Sequence, residues 1–313
     1  MAKLIALIVY LLASVNISAE HHNVDKNRPT RGDKPKLEKQ DALRVLIVDG
    51  FNNHDWQLTT RLTKSILESS GLFRVDVSTA PSDQEASGWA TWRPMFSQYD
   101  VVMQNCNSHG GRPIWPEEVQ RELERYVADG GGLYIFHSAN NAFPQWPDYN
   151  LMIGLGWRDK NFGDAITIDS DEAVIRIPAG QGGNTNHGRR INALITSMSN
   201  HPIHDSLPKQ WKAADLEIYR YARGPAKNMT VLSYAKEPET GLNFPIEWTV
   251  SYGKGQIYNS TYGHVWKGDT NPNGMRCVAF QTILIRAVEW LSNKEISWPT
   301  PDNFPTKEAI SLD

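Results

Sequence analysis

Residues 43–56 read LRVLIVDGFNNHDW, and this stretch decides the fold. The apolar run from Leu43 to Asp49 is typical of a strand that is buried on both faces of a parallel sheet. Gly50 ends the run, and a polar loop with Asn53 and His54 follows it. Polar side chains therefore stand directly after a predicted interior strand.

The rest of the first half repeats this alternation of strand and helix. Leu58, Leu62 and Ile66 keep helical spacing, and a second helix opens at Pro116, a residue favoured in the first turn. Further strands are predicted at residues 73–78, 100–104 and 133–136. Alternating strands and helices predict an α/β fold whose parallel sheet is flanked by helices.

The second half is richer in strands. We expect a hairpin over residues 165–177, strands at 229–234, 244–250 and 256–260, and a closing helix from Met275 to Leu291. These strands form a β-rich insertion in the α/β domain, which we place at residues 42–292.

Both ends of the chain lie outside this domain. Residues 1–19 are typical of a secretory signal peptide, with Lys3 ahead of the apolar run Leu4–Val15 and Ala19 at the cleavage boundary. That run is shorter than a membrane span, and no later stretch is apolar enough to be one, so we expect no membrane insertion. We expect an exported protein that is periplasmic or secreted. Residues 20–41 have the composition of a flexible linker, and the Pro-rich tail 293–313 is expected to wrap the surface.

Charge and cysteine content narrow the possible partners. The formal net charge of −3 shows no basic excess, so we expect no nucleic-acid partner. Cys106 and Cys277 are too few for a disulfide scaffold. Two buried thiols are favoured over a Cys106–Cys277 pair, although the sequence leaves both open.

Several strands of the predicted sheet end in polar residues. His54, Asn105, His137 and His264 each follow a different predicted strand. In an open parallel sheet, ligands bind beyond the carboxyl ends of the strands. We therefore expect these side chains to meet at one edge of the sheet and to form the functional site.

A series of short motifs carries a family resemblance. In chain order they are NHDW at 53–56, WP at 115–116, YVADGGGL at 126–133, HSA at 137–139, YNLMIG at 149–154, HPI at 201–203, EIY at 217–219, YGKG at 252–255 and GH at 263–264. This order resembles the ThuA-like (trehalose utilisation) family. The resemblance implies the class I glutamine amidotransferase-like, flavodoxin-like fold and a role in carbohydrate catabolism.

The resemblance also bears on individual residues. It carries over to Glu217 and Tyr219, although Leu216 stands where the family has Asp before the Glu. The HPI motif departs from the family as well, because Asn200 stands where the family has Asp. Amidotransferases of this fold have a nucleophilic Cys at the position of His137, so we exclude glutamine amidotransfer. The neighbouring Ser138 is disfavoured as a nucleophile, because a nucleophile elbow needs small residues where this chain has Phe136 and Asn140.

Two chemistries remain for the predicted site. We expect His54, His137, Glu217 and His264 to be catalytic, either by acid–base chemistry or around a divalent metal such as zinc held by the three histidines. The remaining candidates are expected to bind substrate: Asn53, Asp55, Trp56, Asn105, Tyr219 and His201. Aromatic faces suit sugar rings, and Trp56, Trp115, Trp146 and Trp157 lie in or beside the candidate loops.

We therefore expect an exported enzyme, a hydrolase or lyase. The resemblance implies that its small-molecule partner is a glycoside or keto-sugar. The alternative is a non-catalytic sugar-binding or accessory module of the same fold. Histidines with strongly shifted pKa values would favour the enzyme, and ordinary solvated histidines would favour the module.

Overall fold

The computed structural model describes residues 42–198 and 200–313. The predicted signal peptide, residues 1–19, and the predicted linker, residues 20–41, lie outside the described residues. Among the helices of the described part, none is long and apolar enough to cross a membrane.

The first half of the described chain alternates strands and helices, as its apolar pattern predicts. The side chain of Asp55 accepts a hydrogen bond from the Leu58 backbone N–H and so caps the first helix. The second helix has two acidic residues in its first turn, where they interact favourably with the helix dipole. The elements are β1 (Leu43–Asp49), α1 (Trp56–Ser69), β2 (Phe73–Thr79), β3 (Val101–Gln104), α2 (Glu117–Ala128), β4 (Gly132–Ile135) and α3 (Pro147–Ile153).

The second half is mostly strands. The predicted closing helix is divided, because Cys277 has an extended backbone (φ −61°, ψ 117°) between two helical segments. The elements are β5 (Asp164–Ile168), β6 (Val174–Ile177), β7 (Asn186–His187), β8 (Ile191–Ser197), β9 (Gln210–Leu216), β10 (Tyr219–Arg220), β11 (Arg223–Gly224), β12 (Met229–Lys236), β13 (Asn243–Tyr252), β14 (Gly255–Ser260), α4 (Asn273–Arg276) and α5 (Val278–Leu291).

Five strands form the parallel part of the sheet in the order β2-β1-β3-β4-β14. This is the strand order of flavodoxin-like, doubly wound folds. β1 and β4 are both interior strands and run parallel, but they are not neighbours, because β3 lies between them. The α/β fold with a mostly parallel core flanked by helices is confirmed.

The whole sheet is mixed, not parallel throughout. β13, β12, β8 and β9 continue it beyond β14, each antiparallel to its neighbour. The two-residue connection between β13 and β14 requires this direction, since so short a turn can only join antiparallel strands. Gly253 stands first in that turn with φ +58°, which glycine adopts without steric cost. The β-rich insertion therefore extends the central sheet.

Helices cover both faces of the sheet. Side chains of α1 and α5 pack into one apolar cluster, and side chains of α2 and α3 pack into the other. The C-terminal tail runs along the surface, where Leu312 forms a bridge with Cys277. Both Cys106 and Cys277 are buried and free, which confirms the favoured expectation of unpaired thiols.

Candidate functional site

Four chain segments bring their polar side chains to one place. His54 follows β1, His137 follows β4 and His264 follows β14, so the parallel strands end at a shared edge. Glu217 directly follows β9, which lies at the far end of the sheet order. The segment of α4 brings these two ends together: a Cβ added at Gly274 would lie 3.4 Å from the His264 carbonyl oxygen and 3.6 Å from that of Asp215.

The three imidazole rings form a triangle. Their centroids lie 5.1 Å apart for His54 and His137, 4.8 Å for His54 and His264, and 5.1 Å for His137 and His264. One carboxylate oxygen of Glu217 is 3.2 Å from Nε2 of His264, and the other is 3.6 Å from Nε2 of His137. One nitrogen or oxygen atom from each of the four side chains lies within 4.8 Å of the others. We call these four residues the His/Glu cluster.

The His/Glu cluster is buried, and burial sets its charge. It lowers the pKa of His54 to about 3, an effect to which the His264 ring adds. Burial also lowers the pKa of His137 well below its ordinary value. For Glu217, burial would raise the pKa, but the hydrogen bond from His264 and the other nearby histidines outweigh burial, so the pKa is lowered. Near neutral pH the His54 and His137 rings are therefore neutral and the Glu217 carboxylate is ionised.

His137 differs from its expected setting. A side chain at the tip of an isolated strand would be exposed, yet only 2 % of the His137 surface is accessible. The Trp266 and Tyr219 side chains surround the cluster: Trp266 lies 5.0 Å from His54, and Tyr219 lies 5.4 Å from His137, centroid to centroid. Loops that follow the strand ends thus close over the position that an isolated strand tip would expose.

Two of the predicted substrate-binding residues adjoin the cluster. The side-chain oxygen of Asn53 is 3.1 Å from Nδ1 of His54. Tyr219 is buried, and its hydroxyl accepts a hydrogen bond from the amide of Asn141 at 3.3 Å.

The other predicted substrate-binding residues have local structural contacts. Asp55 caps α1, and the buried Asn105 amide donates to the Trp56 carbonyl at 3.3 Å. His201 is not brought into the cluster; it precedes a short 3₁₀ helix, and its ring lies 4.8 Å from that of Trp290.

Some of the candidate tryptophans lie in the core, and others lie beside the cluster. Trp115 and Trp146 are buried in the core beneath α2 and α3, so they pack and do not line a cleft. Trp157 lies beside the site, 5.4 Å from the ring of Tyr219. Trp266 was not among the candidates, yet it is 45 % exposed and its ring is stacked on that of His264 at 6.1 Å.

His187 is a second residue that the sequence did not identify. Its Nε2 is 3.6 Å from Glu217, and its side chain is 37 % exposed. The two-stranded sheet of β7 and β10 places it, because Tyr219 pairs with His187 in that sheet. The only available signal was a histidine inside the polar loop 179–190, which has no apolar pattern to locate it.

The Ser138 hydroxyl lies beside the cluster and contacts three polar side chains. This hydroxyl is fully buried and lies 2.9 Å from Nδ1 of His54, 3.0 Å from the Asn107 amide nitrogen and 3.2 Å from the Asn52 amide oxygen. A hydroxyl enclosed by three polar partners is fixed in place. This setting agrees with the expectation that Ser138 is not an exposed nucleophile.

Comparisons with known proteins place the chain in a family. Residues 44–291 match the family model ThuA, described as trehalose utilisation. A crystal structure of a protein described as ThuA-like from Parabacteroides merdae is 32 % identical, with a TM-score of 0.80, over 87 % of this chain and 98 % of that chain. No curated protein matches.

Two further solved structures are more distant. A cytoplasmic protein from Salmonella typhimurium is 12 % identical with a TM-score of 0.44, over 80 % of this chain and 99 % of that one. A β-galactosidase from Bacillus circulans sp. alkalophilus is 13 % identical with a TM-score of 0.45, over 84 % and 33 %. Likenesses this remote carry no conclusion about activity. The family match and the 32 % identical structure show that this chain belongs to the ThuA family.

Proposed function

We propose that this protein is an exported, metal-dependent enzyme of carbohydrate catabolism that acts on a glycoside or a keto-sugar. The convergence of His54, His137, His264 and Glu217 in one buried place carries this proposal. Burying four such groups side by side costs free energy unless a function or a partner compensates for it. Export is supported by the signal-like residues 1–19.

The donor atoms of the cluster suit a divalent cation such as zinc. Ligand atoms about 2.0–2.1 Å from a tetrahedral zinc ion lie about 3.3 Å from one another. The contact of 3.6 Å between Glu217 and His137 is close to that separation. A low pKa keeps His54 and His137 unprotonated at neutral pH, the state in which imidazole binds metal.

A bound cation would supply Lewis-acid polarisation of a carbonyl or hydroxyl oxygen. The residues around the cluster would hold the substrate. Trp266 offers a half-exposed aromatic face to the apolar side of a pyranose ring, and Trp157 adds a second aromatic surface near Tyr219. A sugar substrate agrees with the description of the family as trehalose utilisation.

The two alternatives from the sequence are less well supported. A metal-free acid–base site needs imidazoles that gain and lose protons near neutral pH, whereas burial lowers the pKa of both His54 and His137 far below that range. A sugar-binding module needs no buried carboxylate among three imidazoles. Shifted pKa values at a buried cluster are the feature that favours an enzyme.

Metal analysis tests the proposal. The purified mature protein should contain about one divalent metal ion per chain and should turn over members of a panel of glycosides and their keto derivatives. His137→Gln should lose both the metal and the activity. His201→Gln is the matched control, since it changes a histidine outside the cluster and should keep both. Full activity in metal-free protein, or in His137→Gln, would contradict the proposal.

A further inference from the structure

We infer that the histidines of the His/Glu cluster have different roles: His54 and His137 coordinate the metal together with Glu217, whereas His264 donates a hydrogen bond to Glu217. This inference rests on the proposed metal site. It follows from hydrogen bonds behind the rings, which determine the nitrogen that carries the proton in each neutral imidazole. A nitrogen that carries a proton cannot coordinate a metal.

Two backbone N–H groups fix the orientation of the amides behind His54. The His54 backbone N–H donates to Oδ1 of Asn52 at 3.0 Å, and Nδ2 of Asn52 donates to the Asn105 carbonyl at 3.0 Å. The His109 backbone N–H donates to Oδ1 of Asn107 at 2.9 Å. The Asn107 amide therefore presents Nδ2, a donor, on its other side.

These orientations propagate to Asn53 and Ser138. Nδ2 of Asn107 donates to Oδ1 of Asn53 at 2.7 Å and to Oγ of Ser138 at 3.0 Å. The hydroxyl proton of Ser138 is directed to Oδ1 of Asn52 at 3.2 Å, which has no proton to give. Oδ1 of Asn53 consequently faces His54 as an acceptor, and Oγ of Ser138 accepts as well when its proton points to Asn52.

Nδ1 of His54 must therefore carry the proton. It lies 3.1 Å from Oδ1 of Asn53, an acceptor that a bare ring nitrogen could not bond, and 2.9 Å from Oγ of Ser138, a hydroxyl oxygen that accepts the same proton. In the neutral ring, Nε2 then keeps its lone pair. This atom is buried and has no hydrogen-bond partner in the described part of the chain. It is thus prepared to coordinate a cation in the cluster.

His264 is held in the opposite tautomer. Nη1 of Arg190 lies 3.2 Å from Nδ1 of His264, and a guanidinium can only donate. The same Nη1 also contacts a carboxylate oxygen of Asp215 at 3.1 Å and one of Asp269 at 3.2 Å. Because Nη1 cannot accept, a proton on Nδ1 of His264 would point at a donor and have no acceptor there. Nδ1 of His264 is therefore the acceptor, and its Nε2 carries the proton and faces a carboxylate oxygen of Glu217 at 3.2 Å.

His137 has no such constraint. Within residues 42–198 and 200–313, neither of its ring nitrogens has a hydrogen-bond partner, so either can provide a lone pair. The resulting ligand set is two imidazoles and one carboxylate. Proteins use this set for catalytic zinc and for other divalent metals with open coordination positions. His264 would orient Glu217 and act as a positioning residue, without contact to the metal.

The tautomers can be read directly in the metal-free protein. Long-range ¹H–¹⁵N correlation spectra distinguish a protonated ring nitrogen from one with a free lone pair, and His54→Gln and His264→Gln assign the signals. We expect His54 to be protonated at Nδ1 and His264 at Nε2. A His264 ring that is protonated at Nδ1 would overturn the division of roles.

Zinc titration of the same variants provides the second measurement. Removing a group that only orients a ligand typically weakens metal binding by about 10- to 100-fold. We expect His264→Gln to stay in that range with one zinc per chain, and His54→Gln to lose more. Equal losses in both variants would contradict the inference and leave the metal site standing. A folded wild-type protein that takes up no zinc would instead contradict the proposed function itself.

Discussion

Lowering the pH from 7 to 5 should destabilise the metal-free protein through His54. Burial lowers the pKa of this ring in the folded protein to about 3, whereas the unfolded chain has the ordinary value of 6.5. The unfolded state therefore binds the proton more tightly. The stability contributed by the neutral ring is complete above pH 6.5 and is lost as the pH falls from 6.5 towards 3.

The size of this loss follows from the two pKa values. At pH 5, protonation of His54 raises the equilibrium constant for unfolding by a factor of about 30 relative to a neutral ring. The reason is that this imidazole is almost fully protonated in the unfolded chain and almost fully neutral in the folded protein. A factor of 30 corresponds to about 2 kcal/mol in the free energy of unfolding. This result hardly depends on the folded pKa, provided that it stays below about 4.

Urea unfolding at pH 7 and pH 5 measures the effect, with His54→Gln as the control that cannot titrate at this position. Both proteins are studied without metal, because metal binding has its own pH dependence. The wild type should lose about 2 kcal/mol more than the variant between the two pH values. Equal losses would refute the assignment of a buried, neutral His54.

Three further substitutions test other parts of the site. Trp266→Ala should raise the KM for a pyranoside substrate about 2- to 10-fold and change the unfolding free energy by less than about 0.5 kcal/mol, as kinetics and urea unfolding would show. Arg158→Met should destabilise the protein by about 3 kcal/mol in urea, because it leaves buried carbonyl and amide acceptors without a donor. Gly263→Ala should lower both the melting temperature and the metal content, since φ is +80° and the new Cβ would lie 2.7 Å from the Phe136 ring.

The apolar pattern was sufficient to predict the core of the fold. Leu43–Asp49 is a strand with the predicted bounds, and the hairpin of β5 and β6 lies where its alternation placed it. These elements are determined by local composition and spacing, so a single sequence reveals them. We did not predict β8 and β9. Polar residues interrupt the apolar pattern of Ile191–Ser197 and Gln210–Leu216, and no regularly spaced turn motif marks these segments as strands.

The site residues also fall into those that local sequence patterns identify and those that they do not. The sequence by itself determined that His54, His137 and His264 stand at strand ends, since a run of apolar residues followed by a polar loop marks each end. The EIY motif of the family also identified Glu217 as a candidate site residue.

Only the tertiary structure brought Glu217 from the far strand of the sheet to those rings, and only it placed His187, Arg190 and Trp266 around them. The physical reason is that burial, tautomer and pKa depend on atoms that are distant in the chain. His54 and its partner Ser138 are separated by 84 positions, a contact that no local pattern encodes.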